Sequence, residues 1–431
     1  MSSNKKKQVF SLIFSLVLIF LFFYTGLIHE TYVPFWKDSF NDWPFKTYSE
    51  FKYFGDTQTL FLAAECHKAG FDVFISECLS EYGIPGGHDY GRSLLYLPII
   101  DEKFKTIFLL TFGSILISSL VFVVFKLIKP KSIYENIICL TLIFNPTTLL
   151  LFERLNLDLL IFLSLVLIVF LRRKYIFKLF VKFLLFSFKY YPLIFVINFF
   201  TENDLKFRNK FFYAFLLLLI SSTLIFFYLD DLKYVISDFE TVGRNIKYSY
   251  SINSFSRIID HFNLIDKNFI KPILIMILLI FSTILYIIFN QKIKSPLEKE
   301  RHFYYPRAKL FLISTNLLLI LYLFFNNNYF REVFFIGIVP YLLIVSNEKC
   351  VFSKICLSLI LFKYFFMIVF WPKVLFSDIN NDLFPQLILG TKILLDYIII
   401  IFLIPYVLKL NIVLFKKTFN ISLKKKILLR V

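Results

Sequence analysis

Proton transfer to or from a hydroxyl calls for a carboxylate or imidazole within hydrogen-bond reach, and holding a phosphate calls for cations. In this chain the side chains that could supply both fall in a few short segments. Asp56 lies in a polar stretch from His29 to Lys103, which also holds six of the 11 glycines, two of the three tryptophans and three of the five histidines. Glu153, Arg154, Asn156 and Asp158 follow one another in a single short turn, Lys189 stands in Lys189-Tyr190-Tyr191-Pro192, and Arg331 lies in a polar turn from Asn326 to Glu332. A carboxylate at Asp56 with cations nearby suits deprotonation of an acceptor hydroxyl while the cations hold a phosphate.

Each of these residues also has a plainer role. Asp56 follows Gly55 at the head of a helix expected over Thr57–Ala69, where it would serve as an N-cap. Glu153, Arg154 and Asp158 suit an interfacial ion pair and a cap for the helix starting near Asn156, and Lys189 suits a side chain snorkelling to lipid headgroups. His67 and His88 are isolated, and no metal-ligand spacing stands out, so the expected mechanism is metal-independent.

The elements that must position these residues are membrane spans. Hydrophobic residues make up 58% of the 431 positions, mean hydropathy is +0.71, and apolar runs near twenty residues recur, each long enough to cross a hydrocarbon core of about 30 Å. The chain reads as one all-α integral membrane domain, residues 1–431, with about a dozen helices. The net charge of +18 would suggest nucleic acid in a soluble protein, but here it clusters in alternate loops, as the positive-inside rule requires, and nucleic-acid binding is excluded.

Lys5 to Lys7 precede a first, uncleaved span over Val9–Ile28, which puts the N-terminus inside and the large loop 29–104 outside. Basic turns at Lys126–Lys131, Arg172–Lys174 and Lys206–Lys210, the basic loop 291–309 and the basic tail 409–431 mark the cytoplasmic side. The Glu153 turn, the Lys189 tip, a second outer loop over 230–271 and the Arg331 turn then fall outside, giving about twelve crossings with both termini cytoplasmic. Lys189-Tyr190-Tyr191-Pro192 is expected as a hairpin tip between two short spans, because proline removes a helical N–H. The candidate chemistry thus gathers on one side, although the topology was set by basic residues alone.

Two pairings follow. Cys66 and Cys78 lie in the outer loop, around the turn-former Gly70, and are expected to form a disulfide; the alternative is two free thiols in a compact loop. Lys363 and Asp396 fall at similar depth below the outer face, where an unpaired charge is costly, and are expected to face each other as a structural ion pair. Cys139, Cys350 and Cys356 read as small apolar packing residues.

Glu153-Arg154-Leu155-Asn156-Leu157-Asp158, followed by an apolar span, resembles the E-R-G-N-x-D element of multispanning bacterial membrane glycosyltransferases with the GT-C fold. Within that superfamily the chain is most similar to the polyprenol-phosphate-dependent mannosyltransferases of glycosyltransferase family 87 and their O-antigen-cluster relatives. Asp56, Cys66, Gly70-Phe71-Asp72-Val73 and Cys78 are similar to their pattern of Asp, Cys, G-x-D-x-Y and Cys. Lys189-Tyr190-Tyr191-Pro192 resembles their K-x-Y-P, Ser251 to Ser256 their Asn/Ser-rich second loop, and Asn328-Tyr329-Phe330-Arg331 their N-x-x-Y-R turn. Two departures stand out: Leu155 replaces the Gly of the element, and Cys78-Leu79-Ser80-Glu81 and Asp89-Tyr90-Gly91-Arg92 depart from the family's pattern on the acceptor side.

The resemblance implies a GT-C-like bundle in a bacterial inner membrane, surrounded by membrane lipids. It implies transfer of mannose or a similar hexose, on the extracytoplasmic face, from a polyprenyl-phosphate-sugar donor to a glycan or lipid-linked acceptor. It maps the essential acid to Asp56 and the contact to donor phosphate to Lys189, with Arg331 or Arg154 assisting. Such a donor already stores the glycosyl free energy, and the absence of a Gly-rich phosphate loop agrees; no cofactor is expected. The rival readings are a flippase or transporter of lipid-linked sugars, an O-antigen polymerase or ligase, and an inactive scaffold of the same fold.

Overall fold

The computed structural model describes residues 55–74, 78, 90–171, 173–202, 204–229, 250–261, 267–289, 293, 305–324, 329–348, 350–376 and 383–428, with 13, 16 and 17 near the N-terminus. All regular structure among them is helical. In chain order the helices are α1 (Gly55–Lys68), α2 (Glu102–Ile128), α3 (Ile133–Phe144), α4 (Pro146–Arg154), α5 (Leu157–Phe170), α6 (Tyr175–Phe188) and α7 (Ile197–Thr201). They continue as α8 (Phe207–Phe227), α9 (Ile252–His261), α10 (Lys267–Phe289), α11 (Tyr305–Phe324), α12 (Phe335–Asn347), α13 (Val351–Phe376) and α14 (Leu383–Leu428). Short 3-10 turns occupy Arg92–Tyr96, Tyr191–Val196 and Tyr329–Phe334.

Six helices among the described residues are long and apolar enough to cross a membrane: Ile107–Ile128, Phe207–Phe227, Phe269–Phe289, Pro306–Phe324, Val351–Phe370 and Phe384–Leu414. The pair α3 and α4 makes a seventh, bent by 50°. The bend has a local cause. Asn145 is extended and accepts from Thr148 N to cap α4, and Pro146 has no N–H with which to continue α3. This is a multi-pass helical arrangement, and the expected count of twelve is not reached among the described residues. The expected first span, Val9–Ile28, lies almost wholly outside them. Helices α5 and α6 have 14 residues each, about 21 Å of rise and short of a hydrocarbon core of about 30 Å. Helix α14 continues through Leu428, beyond the expected span end at Leu408.

The centre and the rim separate by burial. The apolar stretch of α11 is 72% buried and α12 is buried on nearly every side, whereas that of α10 is 17% buried. Ile280, Phe281, Ile284, Ile287 and Ile288 on α10, and Phe212, Phe215, Phe226 and Phe227 on α8, are exposed. A continuous belt of that kind suits hydrocarbon surroundings and would be a liability in water.

The described parts of the polar stretch, 55–74, 78 and 90–101, dock against one end of this bundle. Cys66 and Cys78 are disulfide-bonded, as expected, and Leu62, Ala63, Val73, Phe74 and Leu95 pack around them. Cys139, Cys350 and Cys356 are buried and free. Helix α1 is tied down by Thr57 Oγ1 donating to Leu155 O at 2.6 Å and by Glu65 pairing with Lys105 at 3.3 Å. Gly91 N donates to Phe188 O at 2.8 Å and Ser93 Oγ to Ser187 O at 2.6 Å, so the stretch rests on the end of α6. A Cβ on Gly91 would lie 1.8 Å from Ser187 O.

Gly91→Ala is therefore expected to push the docked stretch off α6 and cost about 1–3 kcal/mol. Gly390→Ala, in α14 with nothing within 4 Å of its Cβ, is expected to be neutral or slightly stabilising. Thermal unfolding of the detergent-solubilised protein checks both; equal midpoints for the two variants would contradict the close approach.

Candidate functional site

The turn between α4 and α5 sets the geometry. Helix α4 ends in a Schellman motif: Asn156 N donates to Leu151 O at 3.3 Å and Leu155 N to Phe152 O at 3.1 Å. The motif puts Leu155 in the left-handed region, φ 46° and ψ 48°, at a cost of about 1–2 kcal/mol for a residue with a side chain. Burial of that side chain holds the turn in place. The tight reversal directs Arg154 and Asn156 toward Asp56 on α1 and leaves Asp158 facing Lys189 and Arg331.

Asn156 is the hub. Its Oδ1 caps α5 by accepting from Asp158 N at 2.9 Å and also accepts from Lys189 Nζ at 3.1 Å. Its Nδ2 donates to Asp56 Oδ2 at 2.5 Å and to the Tyr90 hydroxyl at 3.3 Å. The other Asp56 oxygen accepts from Arg154 Nη1 at 3.0 Å. Beyond the amide, Lys189 Nζ reaches Asp158 Oδ1 at 2.8 Å, Tyr191 donates its hydroxyl to the same oxygen, and Arg331 Nε lies 3.6 Å from Asp158 Oδ2. Lys189 sits over the Tyr90 ring at 5.0 Å and Arg331 over the Tyr191 ring at 5.2 Å.

The result is one line of groups, Arg154, Asp56, Asn156, Lys189, Asp158 and Arg331, drawn from α1, the α4–α5 turn, the end of α6 and the Tyr329–Phe334 turn. Exposure falls along it, from 21% and 14% at the Arg154 and Asp56 side chains to 8% at Lys189 and Arg331 and none at Asp158. Three cations face two carboxylates. The acidic end is open enough for a hydroxyl to approach, and the buried end carries the surplus positive charge.

The plainer roles resolve individually. Asp56, in the first turn of α1, also directs both oxygens to groups about a hundred positions away in the chain. Asn156 is both cap and site residue, Asp158 is an ion-paired group, and Lys189 is held within the protein rather than reaching toward headgroups. The Glu153 side chain lies outside the described residues. Lys363 and Asp396 do pair, but in a quartet: Lys363 also meets Glu332 at 2.6 Å, and Lys392 meets Asp396 at 2.9 Å and Glu332 at 3.6 Å. All four are at most 2% exposed.

Sequence reasoning had not singled out Tyr90, Glu332 or Lys392. The i,i+4 spacing of Lys392 and Asp396 on one apolar helix was a usable signal. Glu332 had one too, as an acid beside Arg331 at the edge of a span.

Two measurements test this geometry. Leu155→Gly gives up a buried side chain but relieves the left-handed backbone, so it is expected to be more stable than Leu155→Ala by about 1 kcal/mol, reversing the usual order of the two residues. Asp158→Asn strands two buried cations and is expected to cost about 3–5 kcal/mol. Asp56→Asn, at the exposed end, is expected to cost about 1 kcal/mol or less. Chemical or thermal unfolding in detergent reads all four variants.

No family model, no curated protein and no solved structure matches this chain.

Proposed function

We propose that the protein is a membrane glycosyltransferase that moves a hexose from a polyprenyl-phosphate-linked donor to a hydroxyl of a glycan or lipid-linked acceptor, on the extracytoplasmic face of a bacterial inner membrane. The observation that carries this reading is the pairing of Asp56 and Lys189 through the two sides of one amide, Asn156. A general base and a phosphate-holding cation are thereby fixed one side-chain amide apart. The left-handed backbone at Leu155 adds support, since this is where the E-R-G-N-x-D element of the resembled family has glycine, the residue that adopts that conformation most freely.

In this mechanism Asp56 takes the proton of the acceptor hydroxyl, and the hydroxyl oxygen attacks the anomeric carbon. The bond from that carbon to the donor phosphate oxygen breaks, and the electron pair leaves with the phosphate. Lys189 and Arg331 stabilise the charge that develops there, as preorganised cations do in a poorly hydrated site. Arg154 and Asn156, each bonded to one of its oxygens, orient Asp56. A carboxylate at Asp56 has lone pairs beyond the two that Arg154 and Asn156 occupy, so it accepts a hydroxyl proton without dismantling the site.

One observation favours a second reading. Four ionisable side chains buried among apolar helices, Glu332, Lys363, Lys392 and Asp396, are what a flippase or transporter of lipid-linked sugars would place along its path.

The test uses membranes containing the full chain, radiolabelled polyprenyl-phosphate hexoses, and Asp56→Asn and Lys189→Met at matched expression. Wild type is expected to move label to a glycan or lipid acceptor, and Asp56→Asn to lower the rate by about 10²–10⁴-fold. Donor that changes leaflet with no label transferred would replace the enzyme reading with the flippase one.

A further inference from the structure

A second cluster of buried charge lies at the far end of α6 from Lys189, about 16 Å away along the helix. There Glu202 receives Lys178 at 2.6 Å and Lys309 at 2.9 Å. Lys210 Nζ donates to Phe200 O at 3.0 Å. Lys182, four residues after Lys178 on the same face of α6, is fully buried; its Nζ lies 3.3 Å from the Phe199 ring centre and has no hydrogen-bond partner.

The antiparallel run of α6 against the segment ending at Thr201 explains the arrangement. With Lys178 level with Glu202, Lys182 comes level, one turn on, with Asn198 and Phe199. The Asn198 Nδ2 is likewise buried without a hydrogen-bond partner, and so is the Tyr175 hydroxyl at the start of α6. Lys182 and Asn198 thus leave N–H donors unmatched beside the one buried carboxylate, Glu202.

The charge balance differs from that of the quartet at Glu332, where two cations meet two carboxylates. Among the described residues, Lys178, Lys182 and Lys210 share one buried carboxylate, Glu202; Asp204, at the same end, is exposed and pairs with Arg173 at 3.8 Å. Buried cations in excess are costly unless an anion offsets them, and the Phe199 ring offsets only part of one charge. Lys174, Lys206 and Arg208 stand exposed at the same end of the bundle, beside the Arg173–Asp204 pair, where they raise the local concentration of anions.

We propose that this end of the bundle, between α6, α7, α8 and α11, is a binding site for a phosphate group, held by Lys182, Lys178 and Lys210 with Asn198 as a neutral donor. The phosphate oxygens supply the acceptors that Lys182 and Asn198 lack. The group comes either from the head of an anionic glycerophospholipid or from free inorganic phosphate. The site is independent of the proposed sugar transfer and uses none of its residues.

The test follows thermal unfolding of the full chain, delipidated in an uncharged detergent, with inorganic phosphate or phosphatidylglycerol, against chloride at equal ionic strength. Wild type is expected to melt higher with one of the two probes, and the probe that works identifies the source. Lys182→Met is expected to raise the half-saturating concentration about tenfold. Lys210→Met, nearer the surface, gives the same reading should Lys182→Met fail to fold. A wild-type midpoint that neither probe moves, or a response left intact in the variants, would overturn the proposal.

Discussion

The Asp158 carboxylate has no solvent exposure, and in that position it needs cations close enough to replace the hydration it has lost. Those cations come from distant parts of the chain: Lys189 from the end of α6 and Arg331 from the turn before α12. Meeting one electrostatic requirement therefore fixes two elements against the start of α5. Asn156, two residues earlier, extends the requirement to α1 through Asp56 and to the docked polar stretch through Tyr90. The Tyr329–Phe334 turn then faces two ways, with Arg331 on Asp158 and Glu332 in the quartet with α13 and α14.

Stability alone does not account for this much buried charge. Well-packed apolar side chains of similar volume are commonly as stable as a buried ion pair, and removing a single partner is worse than having neither. What paired charge does provide is a fixed direction for each group. Lys189 is held between Asn156, Asp158 and two tyrosine rings, and it has little freedom to reorganise when a negative charge arrives. Preorganisation of that kind is what distinguishes a site from an ordinary interfacial ion pair.

Much of the site was legible because charge is scarce in this chain. In a sequence with 58% hydrophobic residues, a carboxylate or cation beside a span has few reasons to be there, so Asp56, Arg154, Asp158, Lys189 and Arg331 stood out. The positive-inside rule then placed them on one side, and the disulfide followed from compartment and spacing. The partners were less legible. Residue spacing cannot tell that Asn156 would serve Asp56 and Lys189 together, because those contacts link segments up to a hundred positions apart. The quartet was half read for the same reason: depth matched Lys363 to Asp396, but Glu332 enters from a turn whose backbone path no periodicity sets. Span counting also has a blind spot, since α5 and α6 are apolar without being long enough to cross by themselves.

That shortness has a consequence for the proposed chemistry. If the basic turn at Arg173 and Lys174 lies at one membrane surface, an α6 of about 21 Å brings Lys189 to a level roughly 9 Å short of the other side of the hydrocarbon core. The Lys189 and Arg331 end of the site then lies below the lipid headgroups, with Tyr90 against Lys189 and Gly91 and Ser93 bonded to the end of α6. On the proposed function, a donor with its polyprenyl chain in the bilayer would reach that depth laterally, phosphate first, without leaving the lipid. A polar acceptor cannot follow that route and must come from the aqueous side, where Asp56 and Arg154 are partly exposed. The falling exposure along the site would thus separate the two substrates by solubility and bring them together at the amide of Asn156.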